Sequence, residues 1–239
     1  MSEIRQLPSW PLLGDKHIVF ILSFVIFLWI ALFLLKKIEV DKQRKVEWFL
    51  GIVFLSRKAL VFLYAILYGE WAWYEYLPFH LCDLTIILSA IFLINRSQFL
   101  FEITLFLGLP GAINAIATPV LIHGDILIFE IDYFIEHLSI LITGVYAISI
   151  LKLQPRKGYW WKTFLFGLCF LYIPVAIFNS IMKTNFMYTH APPYKDHFLV
   201  FGPWPFYTLG FLTLSIVVCW SINQCYYPFW KKPHSIMQK

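Results

Sequence analysis

Long apolar stretches alternate with short polar stretches along almost the whole chain. A membrane-spanning helix needs about 17–25 mainly apolar residues. Seven stretches meet this requirement, at residues 18–35, 46–68, 78–94, 99–116, 131–151, 160–179 and 205–225. The fourth contains Gly108, Pro110 and Gly111, which such helices tolerate when neighbouring helices satisfy the freed backbone groups. The pattern predicts an all-α bundle of seven transmembrane helices.

The composition supports a protein that lies almost entirely in the membrane. Hydrophobic residues make up 60% of the chain and charged residues 14%, against about 25% charged residues in soluble proteins. We therefore predict a lead-in at residues 1–17, a transmembrane domain at 18–225 and a tail at 226–239. The net charge of +5 does not indicate a nucleic-acid partner, because the basic residues flank the spans. We expect membrane lipids as partners, with no nucleic acid and no cofactor.

The basic residues are distributed unevenly between the two sides of the membrane. The predicted spans place four on one side: Arg5, Lys16, Lys183 and Lys195. They place thirteen on the other: Lys36, Lys37, Lys42, Arg44, Lys45, Arg96, Lys152, Arg156, Lys157, Lys162, Lys231, Lys232 and Lys239. Because cytoplasmic loops carry an excess of Lys and Arg, this distribution predicts an outer N-terminus and a cytoplasmic C-terminus.

Three reactive side chains lie at the start of the third predicted span. His80, Cys82 and Asp83 directly precede the apolar residues 84–94. Pro78 suits the first turn of a helix, where its missing N–H is not needed, so the sequence predicts that the helix begins there. Ionisable groups inside a span are costly and are functional candidates by default. We therefore predict that this segment is the centre of a functional site.

Other spans place polar residues at the same predicted depth. The fifth span enters from the outer side with Glu136 and His137. The fourth span ends on that side with Asn114, the sixth ends there with Asn179, and Asn185 follows in the loop. Few polar residues lie in the cytoplasmic halves of the spans. This asymmetry predicts a polar site at the outer leaflet.

Helical spacing suggests roles for the central residues. Asp83 lies three residues after His80 and can share its face, whereas Cys82 points elsewhere. Cys82 would then need a base from another span, and His137 is the natural candidate. Alternatively, an isolated Cys in an apolar helix is often inert, and both His residues can bridge helices. His80, Asp83 and His137 would suit zinc, but no closely spaced His pair supports a metal site, and we predict none.

Two basic residues lie near the middle of the second span. Arg57 and Lys58 are surrounded by apolar residues, where each charge costs about 2.5–3.5 kcal/mol. We predict that Arg57 pairs with a buried acid, either Asp83 or Glu102. The pair is either purely structural or part of a clamp for a lipid phosphate, because the guanidinium matches phosphate geometry.

Several motifs together resemble the YwaF-like family of bacterial multi-span membrane proteins. They are Pro78-x-His80-Leu81-Cys82, the break Gly108-Leu109-Pro110-Gly111-Ala112, Pro119, the pair Glu136-His137, and residues 183–187 and 202–207. The resemblance extends in order over residues 10–225. This family is related to the animal transmembrane protein 164, an acyltransferase that acts on phospholipid acyl chains through a Cys and a His. In that animal branch the Cys directly precedes the motif His, where this chain has Phe79, and Cys82 lies three residues further on.

The resemblance implies a Cys-dependent lipid acyltransferase or acyl hydrolase in the cell membrane. It implies that Cys82 attacks an ester carbonyl and that His137, which matches the His of the family, or His80 takes its proton. Asp83 would orient His80, and an oxyanion would receive a hydrogen bond from Asn114, Asn179 or Asn185. Two other functions fit the same residues: a transporter or receptor that binds a ligand without chemistry, and a metal-dependent hydrolase.

Overall fold

The computed structural model describes residues 14–68, 73–120, 127–193 and 202–230. All regular elements in these ranges are helices. Two short 3-10 helices lie at Trp73–Tyr76 and Phe186–Tyr188. The long helices are α1 (Asp15–Lys37), α2 (Val40–Tyr68), α3 (Leu81–Asn95), α4 (Gln98–Ala117), α5 (Leu127–Ser149), α6 (Trp160–Met182) and α7 (Phe206–Trp230). The predicted all-α architecture is therefore confirmed.

Six of these helices are long and apolar enough to cross a membrane. They are α1, α2, α4, α5, α6 and α7. Helix α3 has 15 residues and is about 22 Å long, which is shorter than the hydrocarbon core of about 30 Å. The structure thus supports a multi-pass membrane protein, and it supports six of the seven predicted spans by length.

Helix α3 lies antiparallel against the first half of α2. Near the start of α2, Arg44 donates hydrogen bonds to the carbonyls of Leu93 (2.8 Å) and Ile94 at the end of α3. In the middle of α2, Lys58 contacts Asp83 at the start of α3. The rest of α2 continues about 15 Å beyond this contact. The start of α3 therefore lies at mid-depth in the bundle. This is deeper than the position at the outer leaflet that the sequence predicted.

The start of α3 is fixed by its own capping residues. His80 has extended backbone angles (φ −70°, ψ 155°) and is the N-cap. Its backbone N–H donates a hydrogen bond to the Asp83 carboxylate at 3.0 Å, as the third residue of a capping box does. The prediction that the helix begins at Pro78 is wrong by three residues, because Leu81 is the first helical residue.

One end of the bundle, here called the basic end, carries two buried carboxylates bound by arginines. Glu47 of α2 accepts hydrogen bonds from Arg96 (2.8 and 2.6 Å), from Arg44 (2.9 Å) and from the Tyr146 hydroxyl (2.6 Å). These four residues join α2, the end of α3 and α5. Charge-assisted bonds of this kind are among the stronger hydrogen bonds, so they fix the register of the three helices.

The second carboxylate of the basic end is Glu102 in α4. Arg156 binds it through Nε (2.9 Å), Nη2 (2.7 Å) and its backbone N–H (2.8 Å). Gln98 adds a weaker contact at 3.3 Å. The prediction that Glu102 is a candidate partner for Arg57 is therefore wrong, because Glu102 lies one turn into α4 and pairs at the basic end.

Two helices contain π-helical segments that tie the bundle together. They lie at Thr104–Gly108 in α4 and Gly167–Tyr172 in α6, and a proline begins the α-helical part that follows each of them. The Cys219 thiol of α7 donates a hydrogen bond to the carbonyl of Phe106, in the first of these segments, at 3.4 Å. This bond connects α4 to α7.

Candidate functional site

A large cavity lies beside the start of α3 and extends along α6 as far as Phe164. Its volume is about 1850 Å³, whereas sites for drug-sized ligands are usually about 300–1,000 Å³. Helices α2 to α7 and the segment 183–193 contribute to its lining. The cavity has the size for a ligand much larger than a metabolite.

A lysine at the floor of the cavity joins three helices. The Lys58 ammonium contacts the Asp83 carboxylate of α3 and the Glu136 carboxylate of α5, the latter at 2.7 Å. All three side chains line the cavity. A buried cation is stable when it is paired and hydrogen-bonded, so Lys58 holds α2, α3 and α5 together at this level.

Arg57, the neighbour of Lys58, makes its ion pairs with α5. Its guanidinium contacts the Asp132 carboxylate, and Nη2 lies 3.4 Å from the Glu136 carboxylate. The predicted buried ion pair exists, but neither predicted partner is correct: Asp83 pairs with Lys58 and Glu102 lies at the basic end. The central network therefore contains two cations and three carboxylates, with a net formal charge of −1.

Cys82 occupies the second position of α3 and lines the cavity. The N-terminus of a helix presents unpaired backbone N–H groups and favours negative charge. Gly111 of α4 passes close to the thiol, so that a Cβ at this position would lie 3.7 Å from the Cys82 Sγ. The glycine leaves space beside the sulfur on the cavity side.

His137 and Cys82 lie at a similar depth in the bundle. Lys58 contacts both Asp83, which follows Cys82, and Glu136, which precedes His137. The His137 imidazole is 4% exposed and lines the cavity. Nδ1 lies 2.5 Å from the carbonyl oxygen of Tyr133. Since a carbonyl can only accept, Nδ1 carries the proton and Nε2 is left as a proton acceptor. His137 thus has the tautomer that a general base requires.

His80 borders the cavity from the loop that precedes α3. Its Nδ1 lies 3.4 Å from the backbone N–H of Met187. Its ring also packs against Phe186 and Tyr188, with centroid distances of 5.3 and 5.4 Å. The structure therefore places His80 against the loop after α6, while the Asp83 side chain contacts its backbone and Lys58.

The three predicted asparagines have different surroundings. Asn179 is buried and donates both amide protons, to the Phe186 carbonyl and the Thr189 hydroxyl, each at 2.8 Å. Asn185 donates to the Ala191 carbonyl at 2.9 Å. These two residues shape the loop after α6 and are poor candidates for binding an oxyanion. Asn114 is exposed to the cavity and remains a candidate.

Four residues of the site were not among the predicted catalytic or substrate-binding residues: Lys58, Glu136, Asp132 and Tyr133. Asp132 pairs with Arg57, and Tyr133 fixes the tautomer of His137. Their spacing was a usable signal, because Asp132 and Tyr133 each precede a site residue by four positions and share its helical face. In the part of the chain that the structure describes, no group of three His, Cys, Asp or Glu side chains is arranged to hold a metal ion. His80, Asp83 and His137 therefore do not form such a group.

Together these features define a multi-pass helical membrane protein with a buried polar site at the floor of a large cavity. A comparison with protein families matches residues 12–222 to the TMEM164 family, and the chain belongs to that family. This confirms the relationship to transmembrane protein 164, while the narrower YwaF-like assignment stays a prediction. Comparisons with curated proteins and with solved structures give no match.

Proposed function

We propose that this protein transfers or hydrolyses acyl esters of membrane phospholipids, with Cys82 as the nucleophile and His137 as the base. The observation that carries the proposal is the shared position of the two side chains. They line one cavity at one depth, and the bond from His137 to the Tyr133 carbonyl leaves Nε2 able to accept a proton. Membership of the TMEM164 family supports the same chemistry.

In the first step, the Cys82 sulfur forms a bond to the ester carbonyl carbon as His137 Nε2 takes the thiol proton. The tetrahedral intermediate then collapses, the ester C–O bond breaks, and His137 returns the proton to the departing lysolipid oxygen. A thioester on Cys82 remains. In the second step, water or an acceptor hydroxyl loses its proton to His137 and attacks the thioester carbonyl carbon. The C–S bond breaks, the acyl group leaves as a fatty acid or a new ester, and His137 returns the proton to the Cys82 sulfur.

The start of α3 also supports stabilisation of the oxyanion. In the first turn of α3 the Asp83 N–H is bonded to the His80 side chain, which leaves the N–H groups of Leu81 and Cys82 as candidate donors. Preorganised donors of this kind usually give the largest electrostatic contribution to acyl transfer. The Lys58 ammonium offsets the charges of Asp83 and Glu136 on either side of the site. Asn114 is a further possible donor.

We further propose seven membrane crossings in the cell membrane, with an outer N-terminus and a cavity that opens toward the outer leaflet. The third crossing would combine α3 with the segment 73–80, in which the short 3-10 helix is followed by non-helical residues, among them Leu77, Pro78 and His80, that line the cavity. Such backbone is tolerated at membrane depth only beside a cavity or inside protein. A C-terminal reporter fusion tests this topology: we expect it to be active only in the cytoplasm, and activity outside the cell contradicts the assignment.

A carrier that moves or binds a ligand without chemistry is the second candidate. The central network supports it, because three carboxylates face two cations and leave one negative charge within reach of the cavity. Intramembrane carboxylates of this kind mark ion and proton pathways in transporters. A carrier would depend on the network but not on the Cys82 thiol.

Labelling with a lipid-like electrophile separates the two functions. We expect a phospholipid analogue with an electrophilic acyl terminus to modify Cys82 in the purified protein, and Cys82→Ser to abolish both labelling and lipid turnover. His137→Ala should abolish turnover equally, and the double variant should be no worse than either single variant, because the residues act as a unit. Cys225, which is exposed, provides a control: Cys225→Ser should leave turnover unchanged. Full turnover by Cys82→Ser would refute the mechanism.

A further inference from the structure

We propose that the apolar arm of the cavity binds a single acyl chain of a membrane lipid, and that its far end sets the longest chain accepted. The arm is the part between α4, α6 and α7 that is lined by Phe106, Leu107, Phe164, Leu168, Leu214 and Val218. The inference rests on the cavity of the proposed function and names the part of the substrate that determines specificity. It does not require turnover.

The arm begins next to the reactive thiol. Gly111 of α4 lies beside the Cys82 sulfur, and Leu107 lies four residues, or about one turn, earlier on the same face of α4. Leu107 in turn approaches α6, where a Cβ at Gly167 would lie 2.9 Å from its side chain. An acyl ester held at Cys82 can therefore extend its chain directly along α4 into the arm.

The length of the cavity suits a linear chain. On α6 the lining residues extend from Ser180 at one end to Phe164 at the other, a distance of about 24 Å along the helix axis. This approaches the thickness of a hydrocarbon core, about 30 Å. On α7 the lining extends to Val218. An extended hydrocarbon chain can span this length, whereas a compact ligand cannot.

The walls of the arm are held in fixed register, which gives it a defined end. Both π-helical segments contribute lining residues, and such segments are frequent at functional sites. The bond from the Cys219 thiol to the Phe106 carbonyl connects α7 to α4. The close approach at Gly167 connects α6 to α4. A chain that is too long therefore cannot be accommodated by separating these helices.

Photo-crosslinking of the full-length Cys82→Ser protein tests the proposal independently of catalysis. The probe is a phosphatidylcholine whose palmitoyl chain ends in a diazirine, supplied in nanodiscs of phosphatidylethanolamine and phosphatidylglycerol. We expect crosslinks on the arm residues of α6 and α7. Saturated phosphatidylcholines from lauroyl to stearoyl then serve as competitors, and their relative strengths give the chain-length preference.

Two neighbouring valines of α7 provide a matched pair of variants. Val218 lines the arm, whereas the Val217 side chain is 50% exposed on the outside of the bundle. Val218→Trp should reduce competition by the stearoyl lipid relative to the myristoyl lipid by about 10-fold or more, since a single methylene in an apolar pocket changes discrimination at least that much. Val217→Trp should leave the ratio unchanged. If Val218→Trp does not fold, Leu168→Trp against the exposed Leu165→Trp makes the same comparison on α6.

The outcomes separate this inference from the proposed function. Crosslinks confined to the exposed face of α7, or an equal chain-length preference in the two variants of the pair, would overturn the acyl arm even if the wild-type protein turns over lipids. Crosslinks in the arm and a shifted preference, together with no turnover by the wild-type protein, would support the arm and overturn the enzymatic function.

Discussion

The bundle contains two kinds of buried charge cluster, which differ in the solvent exposure of their cations. At the basic end, Glu47 and Glu102 are each bound by an arginine whose side chain is about two-fifths exposed, 42% for Arg96 and 41% for Arg156. The hydrogen bonds that the arginines donate to these carboxylates raise the pKa values of both arginines. In the central network, the cations are only 14% (Arg57) and 16% exposed.

This difference assigns different tasks to the two clusters. An arginine at the basic end keeps part of its hydration, so the cluster serves as a clamp between helix ends. The central cations are almost fully removed from water and depend on carboxylates from other helices. Charges buried in this way are costly to disturb and lie beside the cavity, where they can act on a ligand. We therefore expect substitutions at the basic end to affect stability alone and substitutions in the centre to affect stability and function together.

The largest effect is expected for Lys58→Met, which removes the cation shared by Asp83 and Glu136. We expect the free energy of unfolding to fall by about 3–5 kcal/mol, because the buried Asp83 loses its cation and Glu136 keeps only the longer contact to Arg57. Lipid turnover should be lost as well. Thermal unfolding in detergent and a turnover assay measure the two effects. The double variant Lys58→Met/Asp83→Asn should recover part of the stability but not the turnover. A single variant as stable as the wild type would contradict the assigned pairing.

Arg57→Ala should have the next largest effect, also within about 3–5 kcal/mol, because it leaves Asp132 without a cation. The rescue identifies its partner. Adding Asp132→Asn should restore part of the thermal stability, whereas adding Glu102→Gln should lower it further, since Glu102 belongs to the basic end. If the two double variants have the same thermal stability, Arg57 does not pair specifically with Asp132.

Arg156→Ala tests the basic end. Its removal leaves the Glu102 carboxylate with a backbone N–H and Gln98, so we expect a smaller loss of about 1–3 kcal/mol. Turnover per folded molecule should stay at the wild-type level, because Arg156 is not among the residues that line the cavity. Reduced turnover by correctly folded protein would mean that the basic end is coupled to the site.

The smallest effect is expected at an ion pair on the surface. Glu39 and Lys42 lie 2.7 Å apart with side chains 67% and 62% exposed. Exposed pairs contribute about 0–1 kcal/mol, so Glu39→Gln should leave the unfolding temperature almost unchanged. It is the baseline against which the other three substitutions are compared. If Glu39→Gln loses as much stability as Arg156→Ala, the exposure of an ion pair does not determine how much it contributes to stability.

The sequence predicted the helices well because apolar runs determine them directly. It predicted less well where a helix begins inside an apolar region. For α3, the apolar pattern indicated Pro78, whereas the capping residues His80 and Asp83 set the start at Leu81. The Asp83 spacing that was interpreted as a relay to the His80 ring is also the spacing of a capping box. Only the structure shows that the Asp83 carboxylate accepts a hydrogen bond from the His80 backbone N–H, as in a capping box.

The partners of buried charges depend on helix packing, which periodicity does not determine. The pairing of Arg57 with Asp132 required knowing that α5 packs beside α2. The pairing with Glu102, however, could have been rejected from depth alone: Arg57 lies in the middle of its helix, whereas Glu102 lies one turn after the start of α4. The buried hydrogen bonds of Asn179 were not predictable, because two of its partners are backbone groups of a loop.

The central network also has a consequence for the order in which the protein is made. Helix α2 carries two cations into the bilayer, at about 2.5–3.5 kcal/mol each. Lys58 meets Asp83 as soon as α3 follows, 25 residues later. Arg57 must wait for α5, whose Glu136 comes 79 residues later. Helix α2 is thus stabilised in two steps, and until α5 is inserted Arg57 lacks both of its carboxylate partners, Asp132 and Glu136.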